Sequence, residues 1–297
     1  MPADRQGRAQ VKAPAKLSAK QRARQRIAAQ QAARKRAEAR RRILVTGGAI
    51  TAVLAVFAAL VAVKLTAGTA HQGGRESAAP ASVVRQVTTV PASTLATISP
   101  GQVATPLQKV RNPGPPLTIN GKPAIVFVSE ESCPFCAAER WSLAVALSHF
   151  GTWSGLGVTH SSHTDVYPDT ATLSFRNARY TSSKLTLRTT ELADSAGHPL
   201  QPQTALDTSV IGSYDKPPYV NSADQSGAVP FLDIANQYVI AGAQYSPQVL
   251  AGLSAAQIVA QLRDPSSPVA QAIDASAQVI ITQINQVLRD HATQNPA

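Results

Sequence analysis

The chain contains two cysteines, and they lie three positions apart in the segment Cys133-Pro134-Phe135-Cys136. Two cysteines cannot build the framework of several disulfides that holds small secreted proteins together. A pair at this spacing can form one local disulfide, supply half of a metal site, or act as a redox couple. The pair is therefore the first candidate for chemistry.

The elements around the pair predict which cysteine reacts first. The continuous apolar run 124–128 is typical of a buried central strand, and the apolar spacing over 132–150 predicts a helix. A helix start offers free N–H groups and a partial positive charge, which stabilise a thiolate on Cys133. Cys136, one turn later, is then the more buried resolving cysteine. Pro134 fits the first turn because it needs no N–H donor there.

The strand, the dithiol and the helix, with the later segment VPFLDI–NQYVIAG, resemble the thioredoxin superfamily. The segments EESCPFCAAERWSLAVALSHFGTWSGL, DVYPDTATLSF and GAVPFLDIANQYVIAGAQYSP resemble more closely a family of membrane-anchored thioredoxin-like proteins known as a domain of unknown function. The resemblance covers roughly residues 83–288. It implies an α/β fold, with a thioredoxin-like central sheet flanked by helices, and thiol–disulfide exchange on a protein substrate or redox partner.

The resemblance also assigns roles to residues. It places Cys133 and Cys136 at the catalytic positions and Pro230 opposite them, with a cis bond to Val229, whose backbone would meet a substrate segment. A cis X-Pro bond is uncommon in folded chains, so a cis bond before Pro230 is a specific prediction. The alternative is a trans proline at a strand entrance. Pro134 and Phe135, between the cysteines, are further candidates for substrate contact, and a Cys-Pro-aromatic-Cys motif is similar to glutaredoxins.

Some positions depart from the thioredoxin pattern. Ser132 stands where thioredoxins have Trp, and Phe127 occupies the position of their buried, proton-transferring Asp. Glu130 and Glu131 precede Cys133, so their charge would raise the pKa of its thiol. The alternatives for both acids are proton uptake during exchange or an ordinary solvated loop.

Arg140 follows Cys136 by one helical turn, and we expect it to tune the thiols. The alternative for Arg140 and its neighbour Glu139 is an internal ion pair or a solvated helix face. The three residues Glu130, Glu131 and Arg140 therefore form the predicted tuning set.

His160 and His163 follow the dithiol and leave a Cys₂His₂ zinc site open as an alternative. A whole apolar helix separates the two pairs, unlike a compact zinc finger, so we expect no metal. The sequence shows no phosphate-binding glycine loop and no convincing Ser/His/Asp set, and we expect no cofactor.

The positive charge of the chain is confined to its N-terminus. Residues 1–42 contain 14 Lys or Arg and 2 Asp or Glu, whereas the remainder contains 14 and 15. The folded part is therefore close to neutral. The basic tail lacks aromatic residues for base stacking, which argues against nucleic-acid binding. It suits the anionic lipid of a cytoplasmic leaflet.

Residues 43–63 form an uncharged, apolar run of 21 residues, long enough to cross a bilayer as one helix. A cleaved signal peptide and a buried core helix are the alternatives. Arg40, Arg41 and Arg42 precede the run, so the positive-inside rule places the N-terminus in the cytoplasm and residues 64–297 outside. We predict a single-pass protein of the cell membrane with an extracytoplasmic C-terminal domain.

The remaining chain divides into a linker at 64–82 and the domain at 83–297. Within 83–98 we predict a strand and a short helix entered at Pro91, and Asn120-Gly121 predicts a hairpin turn. Strands are predicted at 159–162, 172–175, 184–188, 231–234 and 237–240, and helices at 254–262 and 268–288. The stretch 192–226 has no clear pattern. A β-rich insertion must lie between the dithiol and Pro230.

Three hypotheses follow from the sequence. The first is a membrane-anchored, extracytoplasmic thiol–disulfide oxidoreductase. The second is a thioredoxin-like binding or scaffold module in which the 133–136 disulfide is only structural. The zinc site is the third. The direction of electron transfer depends on the reduction potential, which sequence does not set.

Overall fold

The computed structural model describes residues 76–220 and 227–294 and shows a mixed α/β fold with several sheets and helices. Within these two ranges no helix combines the length and the apolar character needed to cross a bilayer. The predicted basic tail at 1–42 and the predicted membrane span at 43–63 lie outside the described residues. Strand β1 and the first helix begin within the segment predicted as the linker, at Ser77 and Ala81.

The largest sheet has six strands, in the order β2-β11-β10-β4-β3, with β9 also paired to β4. Strand β9 runs parallel to β4, whereas β10 and β3 run antiparallel to it. The strands are β1 (Ser77–Ala78), β2 (Gln108–Lys109), β3 (Thr118–Ile119), β4 (Lys122–Ser129), β5 (Thr152–Ser154), β6 (Gly157–His160), β7 (Ala171–Ser174), β8 (Arg179–Thr181), β9 (Thr186–Glu191), β10 (Phe231–Ile234) and β11 (Tyr238–Ala241).

Six α-helices accompany the strands in the described residues. They are α1 (Ala81–Thr88), α2 (Ala92–Ala96), α3 (Pro134–Ser148), α4 (Ala205–Tyr214), α5 (Ala255–Gln261) and α6 (Pro268–Gln294). The two C-terminal helices and the β10–β11 hairpin confirm the predicted elements. Helix α4 lies in the stretch that had no clear pattern.

Strand β4 is covered on both faces, which explains its continuous apolar sequence. Successive side chains of a strand point to opposite sides. Ile125 and Phe127 join the larger core, together with residues of α3 and α6, and Val126 and Val128 join a second core with Val210 of α4. The predicted buried strand is confirmed. The central sheet thus lies between helices and holds the end of β4 rigidly.

The N-terminal part of the domain corrects one prediction. The strand predicted in the first half of 83–98 is wrong, because Ala81–Thr88 forms helix α1. Its β-branched residues favour a strand locally, but Val83 and Val87, four positions apart, share one helix face and are both buried in the core. The short helix after Pro91 is confirmed as α2.

The predicted β-rich insertion contributes strands to two small sheets. Its strands β6 and β7 form one sheet together with β1, which precedes the dithiol, and β5 pairs with β8 in the other. The chain then returns to the central sheet as β9, so part of the stretch between the dithiol and Pro230 belongs to the main layers. The β6–β7 hairpin packs on α3 through Trp141 and Thr172. Their side chains donate hydrogen bonds to Ala171 O (3.1 Å) and Ala137 O (2.8 Å), respectively.

Candidate dithiol site

Cys133 caps the N-terminus of helix α3, directly after the loop that leaves β4. Its backbone is extended (φ −81°, ψ 121°), and its Sγ accepts a hydrogen bond of 3.2 Å from the Cys136 N–H. Pro134 occupies the first turn, as predicted. Both cysteines are free thiols; Cys133 is partly exposed and Cys136 is buried. The helix therefore presents one accessible sulfur at its positive end, with the second sulfur behind it.

The two thiols have opposite pKa shifts. The pKa of Cys133 is lowered, mainly by a hydrogen bond with the Cys136 thiol. Burial of Cys133 acts in the opposite direction, whereas the Cys136 N–H and the charge of Arg140 lower the pKa further. The pKa of Cys136 is well above the usual value, chiefly because the sulfur is buried and also because it hydrogen-bonds to Cys133. This asymmetry suits an attacking thiolate at Cys133 and a protonated partner at Cys136.

Val229 and Pro230 lie opposite the dithiol, at the entrance to β10. The peptide bond between them is cis, which confirms that prediction. The Cys133 thiol donates a hydrogen bond to Val229 O, with 3.6 Å between the sulfur and the oxygen. Two segments separated by 96 positions therefore meet at the reactive sulfur. The predicted substrate contact at Val229 and Pro230 stays a prediction.

Arg140 is fully buried, and its partner is Glu191 at the end of β9. Arg140 Nε donates to Glu191 Oε1 at 2.9 Å and Nη2 donates to Oε2 at 2.6 Å. Ser129 Oγ donates to the same carboxylate at 2.9 Å. Burial alone would lower the pKa of Arg140, but the Glu191 carboxylate raises it. The guanidinium therefore stays charged, and it lowers the pKa of both cysteines.

For Arg140 the ion-pair alternative is confirmed, with Glu191 as the partner, whereas the solvated-face alternative for Arg140 and Glu139 is wrong. Both side chains are buried, and Glu139 accepts hydrogen bonds from the backbone N–H (3.1 Å) and Nε2 (3.0 Å) of Gln244. Burial raises the pKa of Glu139 to about 7, against those two hydrogen bonds. Neighbouring positions on α3 thus face different partners, because each helical step turns the side chain by about 100°.

Glu131 is also buried, so the solvated-loop alternative fails for it. Its Oε1 accepts a hydrogen bond of 2.6 Å from Ser174 Oγ on β7. Burial raises the pKa of Glu131, and the hydrogen bond from Ser174 and the charge of Arg140 oppose that rise. Arg140 therefore faces two buried carboxyl groups, Glu131 and Glu191, as well as the thiols.

Glu130 contacts the dithiol through its backbone. Its N–H donates to Cys136 Sγ at 3.5 Å, and its Oε2 accepts from Ser132 Oγ at 3.2 Å. We expected Glu130 and Glu131 to raise the pKa of Cys133, but the net shift of that pKa is downward. Hydrogen bonds and Arg140 outweigh any such effect, and the pKa of Cys133 is lowered.

Phe135 turns outward from the start of α3 and meets the insertion. Its ring lies edge-on to Tyr167, with 5.8 Å between ring centroids. Tyr167 belongs to the loop at 161–170 that joins β6 to β7. The insertion therefore contributes directly to the surroundings of the reactive sulfur.

The zinc alternative has no support in the described part of the chain. No group of three or more His, Cys, Asp or Glu side chains in residues 76–220 and 227–294 is placed to hold a metal ion. His160 Nδ1 instead lies 2.8 Å from Ser161 O and 3.8 Å from Asp169 Oδ1, and His163 is exposed at the surface.

Sequence reasoning missed three residues of this site: Glu191, Ser174 and Tyr167. Glu191 and Ser174 look like ordinary strand residues, and only the pairing of β9 with β4 and the packing of β7 on α3 bring them to the dithiol. An acid at the end of a predominantly uncharged strand, TLRTTE, is the one signal that could have pointed to Glu191.

The comparisons with known proteins give one match. Residues 108–210, about a third of the chain, match the model of the family described as "Domain of unknown function (DUF929)". This range includes the dithiol and strands β5 to β9. No curated protein and no solved structure matches the chain. The segment that carries both cysteines is therefore similar to a domain of unknown function.

Proposed function

We propose that this chain is a membrane-anchored, extracytoplasmic thiol–disulfide oxidoreductase with a thioredoxin-like fold. Support for the fold comes from the parallel unit β4–α3–β9, followed by the antiparallel β10–β11 hairpin. The dithiol lies between β4 and α3, and Val229-Pro230 precedes β10. This is the arrangement that the thioredoxin resemblance leads one to expect.

The observation that carries the proposed activity is the position of Cys133. Cys133 is partly exposed, and its sulfur lies at a helix N-terminus, 3.6 Å from Val229 O, with a lowered pKa. A disulfide kept only for stability would not need a partly exposed cysteine whose pKa is lowered. These features favour exchange over the scaffold alternative.

The proposed reaction proceeds in two exchanges. The Cys133 thiolate attacks one sulfur of a substrate disulfide; the substrate S–S bond breaks, and the leaving thiolate takes up a proton. Cys136 then loses its proton and attacks the Cys133 sulfur, which releases the second substrate thiolate. The substrate gains two electrons and two protons, and the chain is left with a 133–136 disulfide. The same steps in reverse oxidise a substrate dithiol.

The buried charges have a role in the second exchange. Cys136 must ionise in an apolar interior, which costs free energy unless a cation lies nearby. Arg140 supplies that cation, and Glu191 and Ser129 hold it in place. Glu131, whose pKa is raised by burial, is a candidate acceptor for the released proton.

The proposed activity can be tested with the full chain in detergent micelles. Wild-type protein should accelerate the reduction of a peptide disulfide by dithiothreitol above the rate without protein, and Cys133→Ser should give no acceleration. Reduced Cys136→Ser protein, mixed with the peptide disulfide after removal of dithiothreitol, should accumulate a mixed disulfide with the peptide. Inert wild-type protein would contradict the proposal. If that inert protein also lost stability on Cys133→Ser substitution, the structural-disulfide alternative would take its place.

The membrane arrangement needs a separate experiment. The uncharged run at 43–63 and the arginines before it support an N-terminus in the cytoplasm. In intact cells, a membrane-impermeant maleimide should label Cys133 after reduction. An externally added protease should cleave the C-terminal domain, whereas a tag fused before residue 1 should stay intact. Labelling only after cell lysis would contradict this orientation.

A further inference from the structure

The exposed apolar side chains of the described residues concentrate beside the dithiol. Among residues 76–220 and 227–294, the large hydrophobic side chains that are exposed are Phe135, at 39%, and Val166, at 57%. Phe135 lies between the two cysteines, and Val166 precedes Tyr167, whose ring contacts Phe135. Exposed apolar groups gathered at one place mark a contact surface. We name Phe135, Val166 and Tyr167 the apolar platform.

The loop that carries the platform is fixed to the dithiol. The Ser162 N–H donates a hydrogen bond of 2.7 Å to Ser132 O, immediately before Cys133. Tyr167 O accepts hydrogen bonds from Ser161 Oγ (3.0 Å) and Thr170 Oγ1 (2.9 Å), which hold the turn of the loop. A surface held in this way loses little conformational entropy when a ligand binds. The platform is thus pre-organised next to the reactive sulfur.

The charges around the platform are acidic. Glu130 lies in the dithiol loop, and the exposed Asp165 directly precedes Val166. The segments 129–136 and 160–170 contain no Lys or Arg, and Arg140 is buried against Glu191. These two segments offer no Lys or Arg to a small anionic disulfide such as oxidised glutathione, although the dithiol motif itself is similar to glutaredoxins. These acidic surroundings favour a ligand that is apolar and positively charged.

We propose that the apolar platform selects a protein segment that has a large apolar residue next to its cysteine and basic residues nearby. This inference rests on the proposed function and names its substrate class. The cysteine of the segment meets Cys133, between Val229 O and the platform. The neighbouring apolar side chain packs on Phe135 and Tyr167, and Asp165 and Glu130 attract the basic residues.

The test uses the reduced full chain in detergent micelles and two synthetic peptides. Each peptide, Lys-Leu-Cys-Phe-Lys or Lys-Gly-Cys-Gly-Lys, has blocked ends and carries its cysteine as a mixed disulfide with thionitrobenzoate, whose release is measured by absorbance. We expect the apolar peptide to react about tenfold faster, as is usual for one well-packed side chain. Val166→Asp and Tyr167→Ala should reduce that ratio toward one.

The exposed Ser209→Asp substitution in α4 is the matched control for added charge, and it should leave the ratio unchanged. Equal rates for the two peptides with wild-type protein, or a ratio that Val166→Asp and Tyr167→Ala leave intact, would overturn the platform proposal. Absence of thionitrobenzoate release from both peptides would instead overturn the proposed function, so the two failures are distinguishable.

Discussion

The buried ion pair between Arg140 and Glu191 gives the most specific prediction. Glu191→Gln removes the negative charge but keeps the shape of the side chain. Two charge-assisted hydrogen bonds, of 2.6 and 2.9 Å, weaken or disappear, and the buried Arg140 loses the counter-charge to which it is hydrogen-bonded. Breaking one side of a buried pair typically costs about 3–5 kcal/mol. Because Gln can still accept one hydrogen bond, we expect the free energy of unfolding to fall by about 3 kcal/mol.

The same substitutions separate stability from thiol chemistry. Arg140→Met also leaves a buried charge and should lose a similar free energy of unfolding. The two variants should, however, move the pKa of Cys133 in opposite directions: Glu191→Gln leaves the cation uncompensated and lowers it further, whereas Arg140→Met removes the cation and raises it. A purely structural role would not produce opposite signs.

The assay is urea unfolding of a fragment of residues 71–297, which forms one compact unit, together with the pH dependence of Cys133 alkylation. The double variant Arg140→Met/Glu191→Gln buries no uncompensated charge, so it should lose less than the sum of the single variants. A loss of unfolding free energy below about 1 kcal/mol for Glu191→Gln would contradict the stabilising role of the ion pair. Shifts of the Cys133 pKa in the same direction for both single variants would contradict its electrostatic role.

Two further predictions concern the same fragment. Asp274 of α6 is buried, and burial raises its pKa to about 7 from an ordinary 3.8; its neutral form therefore stabilises the fold fully below about pH 4, and that contribution is lost as the pH rises toward 7. Asp274→Asn should make the free energy of unfolding fall less steeply with pH over this range, by at most about 1.4 kcal/mol per pH unit. The same pH dependence of this free energy in the variant and the wild type between pH 4.5 and 7.5, measured by urea unfolding, would contradict this. Thr172→Val removes the 2.8 Å hydrogen bond to Ala137 O and should cost about 1 kcal/mol in urea unfolding; a neutral effect would show that the insertion does not depend on this contact.

Elements whose sequence pattern agrees with their burial could be predicted. The continuous apolar run of β4 required burial on both faces, and Asn120-Gly121 adopts the positive φ angles of a tight hairpin turn (54° and 75°). Helix α3 was evident from its apolar spacing and from Pro134 at its start. These are local signals, and each has one main physical cause.

The wrong or missing predictions depend on contacts between distant segments. Val83 and Val87 favour a strand by local preference, and only the core that they meet selects a helix. Arg140 was a candidate from its spacing to Cys136, but its partner Glu191 lies 51 positions away and is reached only because β9 pairs with β4. Tyr167 likewise meets Phe135 only through the folding of the β6–β7 hairpin on α3.

The opposite pKa shifts of the two thiols, lowered for Cys133 and raised for Cys136, can be measured directly. Reduced protein is treated with iodoacetamide across pH 4–10, and the alkylation rate of each cysteine is followed by mass spectrometry. We expect Cys133 to titrate below the ordinary thiol pKa of about 8.5, and Cys136 to react only slowly until higher pH. Equal rates at the two sulfurs, or a Cys133 that titrates as an ordinary thiol, would contradict it.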